Sequence, residues 1–434
     1  MSSKLRCFLF LSLILTTNCE AQMAHEKLTA DSAEVSAPGL RDFVVWAKVH
    51  AIPLKTVEAG NGFDDLEPLH PIIRGAHLVG LGEATHGTHE FFQLKHRMLE
   101  FLATQKGFTI LAIEANVPEA HGLNDYVLHG TGDPKELLKG MKFWTWNTQE
   151  FLAMTEWMRQ ANQSGKVHLE FAGFDLQTPT VSTEIVRKFI QAHEPSYLAT
   201  LNDMYELVKL TELGVNTAVT SELPMRASAI CRHLEDERAA LITQADTKEV
   251  EWIIHNARLV EQFTRLKGDI NARDQAMAEN VKWIVDHNPG AKIVLWAHNA
   301  HVGRGTNERF RPMGSFLSQW FGKEYVAFGS AFSEGSFRSV EVGKSLRQFT
   351  VAPAPEGSLD RALASTGIPV LALDLRQPPA PGAAAEWLDQ LHLTHRIGAT
   401  YSDQTPEKYF SSLRPQDAYD VLLFVAKTSV ARGN

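Results

Sequence analysis

The chain has 434 residues, and its hydrophobic fraction of 44% and charged fraction of 21% are typical of a globular protein with a large core. Its formal net charge of −9 is spread without long runs of one sign. This pattern argues against a nucleic-acid-binding surface, because such a surface needs a basic stripe. The length allows one large domain or two.

The N-terminus has the pattern of a secretory signal peptide, which we place at residues 1–21. Two basic residues precede an apolar stretch at residues 7–15, and small residues follow where a signal peptidase would cut. The apolar stretch is too short to span a membrane. Lipid attachment at Cys19 is the less favoured alternative, because Asn18 stands where a small residue is expected. We therefore predict an exported protein, periplasmic or secreted, without a membrane span.

The mature chain would keep a single cysteine, Cys231, so an exported form would have no internal disulfide. Residues 22–40 are polar and small, and we expect them to be flexible. The rest of the chain, residues 41–430, is predicted to form the folded domain, and a helix is expected near its start, at residues 40–50.

Predicted strands and helices alternate along most of the chain. Residues 181–288 differ, because charged and apolar residues recur there at helical spacing with few glycines, which indicates long helices. The alternation predicts an α/β fold: a mostly parallel sheet flanked by helices, with an inserted block of long helices. Short apolar runs predict strands at residues 77–81, 108–114, 167–175, 291–298, 325–329, 370–373 and 421–425.

Groups that can move protons stand at the ends of three of these strands. Glu83 and His86 follow the first strand, Glu114 ends the second, and His298 and His301 follow the fourth. Ligands of open α/β sheets bind outside the carboxyl ends of the strands. If these strands are parallel neighbours, their ends bring two carboxylates and three imidazoles into one cleft.

This set of side chains suits the activation of water. We expect His86 to act as the general base, with Glu83 behind it to fix the tautomer and to stabilise the imidazolium. His298 and His301 could stabilise the oxyanion formed at an ester carbonyl, and Glu114 would complete the cleft. General-base catalysis of this kind contributes about 10²–10⁴-fold to a rate.

Two cations, Lys95 and Arg273, are candidates for binding the substrate or the oxyanion. Each candidate of the cleft also has an ordinary structural alternative. Glu83 could cap the following helix, and Arg273 could form a surface pair with Asp274. The functional hypothesis is favoured by the recurrence of polar groups at several strand ends rather than by any one residue.

The segments GEATHG at residues 82–87 and AHNAH at residues 297–301 resemble motifs of the erythromycin esterase family. The resemblance implies a metal-independent hydrolase that opens the lactone ring of macrolide antibiotics and so confers resistance. It also implies that His86 is the general base and that Arg273 lies near the cleft. Further matching segments stand in the same order as in the family, at residues 90–92, 95–97, 113–115, 173–175 and 273–278.

One departure from the family concerns Lys95, where macrolide-opening members carry arginine. Lysine keeps the charge but loses the bidentate fork of a guanidinium. We therefore expect the change to affect macrolide specificity more than hydrolysis. The exported N-terminus is a second departure, since the intracellular resistance enzymes have no need of one.

Two other functions stay open from the residues alone. The same five side chains could hold Mn²⁺ or Zn²⁺ in a metallohydrolase, although their spacing is not that of a His-Glu-x-x-His helix. The cleft could instead bind a small hydrophobic ligand without catalysis. The expected partner is a small-molecule ester or lactone, whether a macrolide, another lactone or an envelope or polysaccharide ester. No organic cofactor and no nucleic acid are expected, and the oligomeric state is left open.

Overall fold

A computed structural model gives the structure of most of the chain. Its described part contains no helix that is long and apolar enough to cross a bilayer. The predicted signal peptide lies outside the described residues, as do residues 22–30 of the segment predicted to be flexible. The structure describes residues 31–212, 222–266, 269–307 and 309–434, and of residues 31–38 and 210–212 only the backbone.

Strands and helices alternate along the described chain. The strands are β1 (Ile52–Pro53), β2 (Leu78–Leu81), β3 (Ile110–Asn116), β4 (Glu170–Asp175), β5 (Ile293–Trp296), β6 (Tyr325–Glu341), β7 (Leu346–Val351), β8 (Val370–Asp374), β9 (His392–His395), β10 (Thr400–Tyr401), β11 (Phe410–Leu413) and β12 (Val421–Thr428). The helices are α1 (Asp31–His50), α2 (His89–Lys106), α3 (Val117–His129), α4 (Pro134–Gly140), α5 (Gln149–Gln163), α6 (Thr180–His193), α7 (Leu198–Glu212), α8 (Leu223–Asp236), α9 (Arg238–Ile242), α10 (Thr247–Arg265), α11 (Ala272–His287), α12 (Asn299–Val302), α13 (Met313–Phe321), α14 (Leu359–Ala364), α15 (Ala383–Leu388) and α16 (Pro415–Ala418).

One ten-stranded sheet organises the fold. Its order is β1-β8-β12-β6-β2-β5-β3-β4, with β7 and β10 paired to β6. The strands from β12 to β4 run parallel to one another, whereas β8 is antiparallel to β12 and β7 is antiparallel to β6. Because β5 lies between β2 and β3, chain segments that are far apart in sequence meet in the middle of the sheet.

These features confirm the predicted fold class. The sheet is mostly parallel, helices flank it, and the block of long helices from α6 to α11 separates β4 from β5. One strand is longer than predicted, because β6 continues from residue 329 to Glu341. Serines recur through this second half at positions 330, 333, 336 and 339, and they weaken the apolar pattern that marks a strand.

The first helix also differs from the prediction. It begins at Asp31 rather than at residue 40, so part of the segment predicted to be flexible is helical. Pro38 and Gly39 favour a helix boundary in the sequence, but the helix continues through both positions. In the structure Gly39 lies against α15, where a Cβ would come within 2.9 Å of the carbonyl oxygen of Ala383. Gly39 therefore serves the packing of α1 on α15.

Apolar side chains cover both faces of the sheet. In β2, Val79 and Leu81 belong to the cluster on one face and Leu78 to the cluster on the other, as the alternation of side chains along a strand requires. A third cluster lies entirely within the block from α6 to α10. The helical block therefore has a core of its own.

Candidate active site

The carboxyl ends of four neighbouring parallel strands form an edge where polar side chains converge. In the order of the sheet, β2, β5, β3 and β4 contribute Glu83, His298, Glu114 and Asp175. All four residues are more than nine-tenths buried. Burying polar or charged groups costs free energy unless they are hydrogen-bonded. The hydrogen-bond partners of these four residues therefore define the site.

Glu83 and His86 form the central contact. Glu83 Oε1 lies 2.7 Å from His86 Nδ1, and Glu83 is fully buried. An ionised carboxylate can only accept hydrogen bonds, so in the neutral ring Nδ1 carries the hydrogen and Nε2 keeps a free lone pair. The loop between β2 and α2 thus presents an imidazole nitrogen that can accept a proton.

A buried cation lies behind Glu83. Lys95 Nζ and Trp296 Nε1 each donate to Glu83 Oε2 over 2.8 Å. Burial raises the pKa of Glu83, but the charge of Lys95 and the hydrogen bond with His86 outweigh burial and hold that pKa below its ordinary value. Burial also lowers the pKa of Lys95 to about 8, although the charge of Glu83 opposes this shift. Glu83 is therefore ionised at neutral pH.

Two glycines let the loop between β2 and α2 pass close to its neighbours. A Cβ at Gly87 would lie 2.2 Å from the carbonyl oxygen of Arg338 in β6, and a Cβ at Gly82 would lie 2.4 Å from Asn299 Oδ1. The backbone N–H of Arg338 donates to the carbonyl of Gly87 over 3.0 Å. These close approaches fix the loop, and with it the position of His86.

His298 faces His86, with 5.1 Å between the ring centroids. Its Nδ1 accepts the N–H of Ala300 over 3.1 Å at the start of α12, so the hydrogen of the neutral ring is on Nε2. Burial and the charge of His86 hold the pKa of His298 well below its ordinary value. Its Nε2 is buried and has no hydrogen-bond partner within the described residues. His298 is thus a neutral ring with an unused N–H donor.

Two carboxylates hold Arg273 on the side of the site toward β4. Arg273 Nη2 donates to Glu114 Oε1 and to Asp175 Oδ2, each over 2.8 Å. Glu114 Oε2 accepts the backbone N–H of His298 over 2.9 Å. Burial raises the pKa of Glu114, but the charges of His301 and Arg273 hold it well below its ordinary value. Glu114 therefore joins the cation to the backbone of His298.

His301 lies between two carboxylates. Its Nδ1 is 2.8 Å from Asp274 Oδ1, and its Nε2 is 3.3 Å from Glu114 Oε1. Burial alone would lower the pKa of His301, but the charges of Asp274 and Glu114 raise it to about 9. A ring protonated in this way donates from both nitrogens. The distance of 3.2 Å between Arg273 Nη1 and His301 Nε2 is then a close approach of two cations rather than a hydrogen bond.

The predicted residues therefore meet, but the two predicted substrate-binding cations are both engaged by the protein. Lys95 is 1% exposed and bound to Glu83, and Arg273 is bound to two carboxylates. Their role in substrate binding stays a prediction, and the structure gives both a part in holding Glu83 and Glu114. The contacts described above connect the predicted catalytic residues Glu83, His86, Glu114, His298 and His301.

Three residues of the site were missed by sequence reasoning. Trp296 ends an apolar strand, and its N–H becomes relevant only once β5 is seen beside β2. Asp175 ends a predicted strand just as Glu114 does, so the same signal could have found it. Asp274 entered the sequence analysis only as an alternative surface partner of Arg273, whereas it is 2% exposed and contacts His301.

The carboxylates of this site do not form a metal centre as they are arranged. Across the ranges that the structure describes, no three histidine, cysteine, aspartate or glutamate side chains come together as metal ligands. The oxygens of Glu83 and Glu114 instead accept hydrogen bonds from cations and N–H groups. The donor set therefore does not fit the metal ion considered in the sequence analysis.

Comparison with models of known protein families assigns this chain to a family. A sequence model described as erythromycin esterase matches residues 103–428. The chain belongs to the erythromycin esterase family. Within the matched range of this family lie Glu114, Arg273, His298 and His301, whereas the loop between β2 and α2 precedes that range.

Proteins related to this member of the erythromycin esterase family resemble it over most of its length. Erythromycin esterase type II of Escherichia coli is 26% identical over 367 residues, which cover 75% of this chain and 87% of that protein. The crystal structure of a Bacillus cereus protein has a TM-score of 0.80 at 27% identity, covering 91% of this chain and 99% of the other. That of a succinoglycan biosynthesis protein has a TM-score of 0.77 at 29% identity, covering 91% and 98%. The predicted family and fold are confirmed.

Proposed function

We propose that this chain hydrolyses a carboxylic ester or lactone by general-base activation of water at His86. The observation that carries the proposal is the contact of 2.7 Å between Glu83 Oε1 and His86 Nδ1, which leaves His86 Nε2 as the acceptor. His86 is 8% exposed, so it is not sealed completely inside the core. A general base must lie within hydrogen-bond reach of the proton that it takes.

The proposed reaction uses two imidazoles. His86 Nε2 takes a proton from water while the water oxygen forms a bond to the carbonyl carbon, and the carbonyl electron pair moves to its oxygen. The Nε2–H of His298 donates to this oxyanion. The carbonyl then re-forms, the bond to the alcohol oxygen breaks, and the imidazolium of His86 gives its proton to that oxygen. The products are a carboxylic acid and an alcohol, which stay in one molecule when the substrate is a lactone.

Other charged residues would position these two rings. Lys95 holds the second oxygen of Glu83, and Glu114 holds the backbone N–H of His298. Arg273 helps to keep Glu114 ionised. Positioning groups hold the reacting atoms in the correct geometry. Their loss is therefore expected to lower kcat even though both imidazoles are still present.

A macrolide lactone is the first substrate to test, because the Escherichia coli relative is named an erythromycin esterase. An acyl ester of a polysaccharide is the second, because a neighbour of similar fold is named a succinoglycan biosynthesis protein. Lys95 in place of the family arginine is a reason to test both. We also propose that the chain is exported, on the pattern of residues 1–21.

The test is mass spectrometry of the purified protein after incubation with macrolides, with simple esters and with an acylated polysaccharide. We expect a gain of one water on a macrolide, or release of the acid from an ester. His86→Ala is expected to abolish the product while circular dichroism shows an intact fold. Turnover like that of the wild type in this variant would contradict the role of His86, and no product from any of these compounds would contradict hydrolysis.

The alternatives left open by the sequence are separated with the same compounds. If dialysis against a strong chelator removes the activity and Mn²⁺ or Zn²⁺ restores it, the metallohydrolase is favoured. Retained activity supports the imidazole mechanism. Tight binding of a macrolide without any ring-opened product would favour a non-catalytic binding protein.

A further inference from the structure

Another cation besides Lys95 and Arg273, Arg396, lies beside the loop between β2 and α2. It follows β9, whose last residue, His395, is held by Asp360. The backbone N–H of His395 lies 2.7 Å and its Nδ1 lies 2.9 Å from Asp360 Oδ2. On the other side, the N–H of Ile397 donates to the carbonyl of Ala84 over 2.8 Å. The backbone of Arg396 is therefore fixed between the core and the loop of the candidate site.

The side chain of Arg396 points away from the core. His395 and Ile397, on either side of it, are 3% and 0% exposed, and successive side chains of an extended segment point to opposite sides. Arg396 itself is half-buried, and its guanidinium forms no hydrogen bond or ion pair with the residues that the structure describes. Lys95 and Arg273, in contrast, are both bound by carboxylates.

The charge of Arg396 affects the pKa values of two residues at the candidate site. After burial and the charge of His86, Arg396 is the next cause that lowers the pKa of His298. Burial raises the pKa of Tyr419, and the charge of Arg396 opposes that shift. The hydroxyl of Tyr419 donates to the carbonyl of Asn299 over 3.4 Å, beside His298. The backbone also joins the two segments: Ala84 accepts the N–H of Ile397, and the carbonyl of Glu83 beside it accepts the N–H of Asn299 over 2.8 Å at the start of α12.

Buried polar atoms in the same region lack hydrogen-bond partners. Thr85 Oγ1 and His298 Nε2 are buried and unpaired within the described part of the chain, and Thr85 pairs with Ile397 in a β-bridge. A buried donor that is left unpaired costs free energy, so such atoms in a native structure call for an explanation. Unpaired donors near a half-buried positive charge are the complement of an anionic oxygen.

We propose that Arg396 is the substrate-binding cation of this site, and that it binds an anionic oxygen of the substrate beside Thr85 and His298. The inference rests on the proposed hydrolytic function. The oxygen belongs either to a carboxylate that the substrate carries near its ester or to the oxyanion formed at the carbonyl. A guanidinium with free donors suits both, because its planar fork binds anionic oxygens in pairs.

Two esters of matched structure distinguish a carboxylate of the substrate from the oxyanion as the group that Arg396 binds. The para-nitrophenyl ester of butyric acid is neutral, whereas the para-nitrophenyl monoester of succinic acid carries a carboxylate at the end of its acyl chain. Both are assayed with the wild type, Arg396→Gln and Arg396→Lys. Arg187→Gln is the matched control, because it removes the same charge from the surface of α6, where Arg187 pairs with Glu184.

The two sources give different kinetic results. If the substrate carboxylate is the partner, Arg396→Gln lowers kcat/KM for the succinate monoester by about 10- to 100-fold more than for the butyrate ester. If the oxyanion is the partner, kcat falls by the same factor for both esters and KM changes little. Arg396→Lys is expected to be intermediate in either case, because it keeps the charge without the fork.

Equal kinetics of Arg396→Gln and Arg187→Gln with both esters would contradict the inference while hydrolysis stands. If the wild type hydrolyses neither ester, the proposed function fails for these compounds and the inference is tested by binding. Calorimetry then measures the affinity for succinate itself. Loss of binding in Arg396→Gln but not in Arg187→Gln supports the anion site, and absence of binding to the wild type contradicts it.

Discussion

Glu83 Oε1 and His86 Nδ1 lie 2.7 Å apart, and this contact leaves Nε2 as the nitrogen of His86 that Glu83 does not bind. Lys95 and Trp296 occupy the other oxygen of Glu83. Three donors therefore fix one carboxylate, and the carboxylate in turn fixes the imidazole. An orienting group of this kind keeps the correct tautomer in place throughout a proton transfer.

Glu83→Gln tests this relationship. The amide keeps the shape of the carboxylate, but its neutral side chain no longer stabilises the imidazolium, and it leaves Lys95 without an anion. We expect kcat to fall by about 10²–10⁴-fold with a smaller change in KM. Steady-state kinetics measures the effect, and Glu184→Gln on the exposed surface of α6 is the control. An unchanged kcat in a folded Glu83→Gln variant would show that Glu83 does not orient the base.

Lys95→Arg is expected to extend activity to higher pH. Burial lowers the pKa of Lys95 to about 8, so above that pH the wild type loses the positive charge that holds Glu83. Arginine stays charged throughout the accessible range. We expect the kcat of the wild type to decline above about pH 8 and that of Lys95→Arg to persist, while Lys95→Met is slow at every pH. Superimposable pH profiles of the wild type and Lys95→Arg would refute this role of Lys95.

His298→Ala is expected to lower kcat by about 10²–10³-fold, the usual cost of losing one oxyanion donor. KM is expected to change little, because the donor acts on charge that develops only in the transition state. His168→Ala provides the control, since His168 is an exposed histidine whose Nε2 lies 3.4 Å from Glu170 Oε1. A variant of His298 in which KM rises and kcat is retained would assign this ring to ground-state binding instead.

His301 should make the stability of the protein depend on pH. Burial would lower the pKa of His301, but Asp274 and Glu114 raise it to about 9, whereas an unfolded chain has a histidine pKa of about 6.5. Between these values the folded state holds more protons. The stabilisation is therefore fully present below about pH 6.5 and is lost as the pH rises to about 9. At about 1.4 kcal/mol per pKa unit, the loss is on the order of 3 kcal/mol.

Urea unfolding of the wild type and of His301→Gln, measured across the same pH range, checks this dependence. Glutamine can keep a hydrogen bond to Asp274 but cannot carry the charge. We expect the variant to be less stable at neutral pH and to show a flatter profile, so that the two curves approach each other on the alkaline side. Curves that run parallel would mean that His301 does not bind the extra proton in the folded state.

The candidate catalytic residues could be predicted because they stand at, or a few positions after, the ends of apolar strands. Glu83, Glu114 and His298 follow this rule, and parallel neighbours place their strand ends at one edge. The order of the strands was not visible in the sequence, because pairing between β2 and β5 joins residues that are more than two hundred positions apart. For that reason the contact of Trp296 with Glu83 was missed.

The burial of Lys95 could not be predicted, because a lysine on a helix normally points to solvent. Helix α2 has buried residues on nearly all its faces. On the side away from the sheet it is covered by the chain that precedes β2, where Arg97 donates to the carbonyl of Gly62 over 2.6 Å and forms an ion pair with Asp65. Such covering by an irregular segment leaves no periodic pattern in the sequence. Arg396 was missed for the same reason, since it stands outside any predicted strand or helix.

A side chain at Gly87 would overlap the backbone of Arg338. This position therefore cannot be substituted without displacing the loop or β6. A laboratory library that randomises the whole loop between β2 and α2 would consist largely of inactive variants. Position 398 is different, because a Cβ there would meet no atom within 4 Å. Diversity placed at Arg396 and Gly398 would vary the surroundings of the proposed substrate-binding cation and leave His86 in its present position.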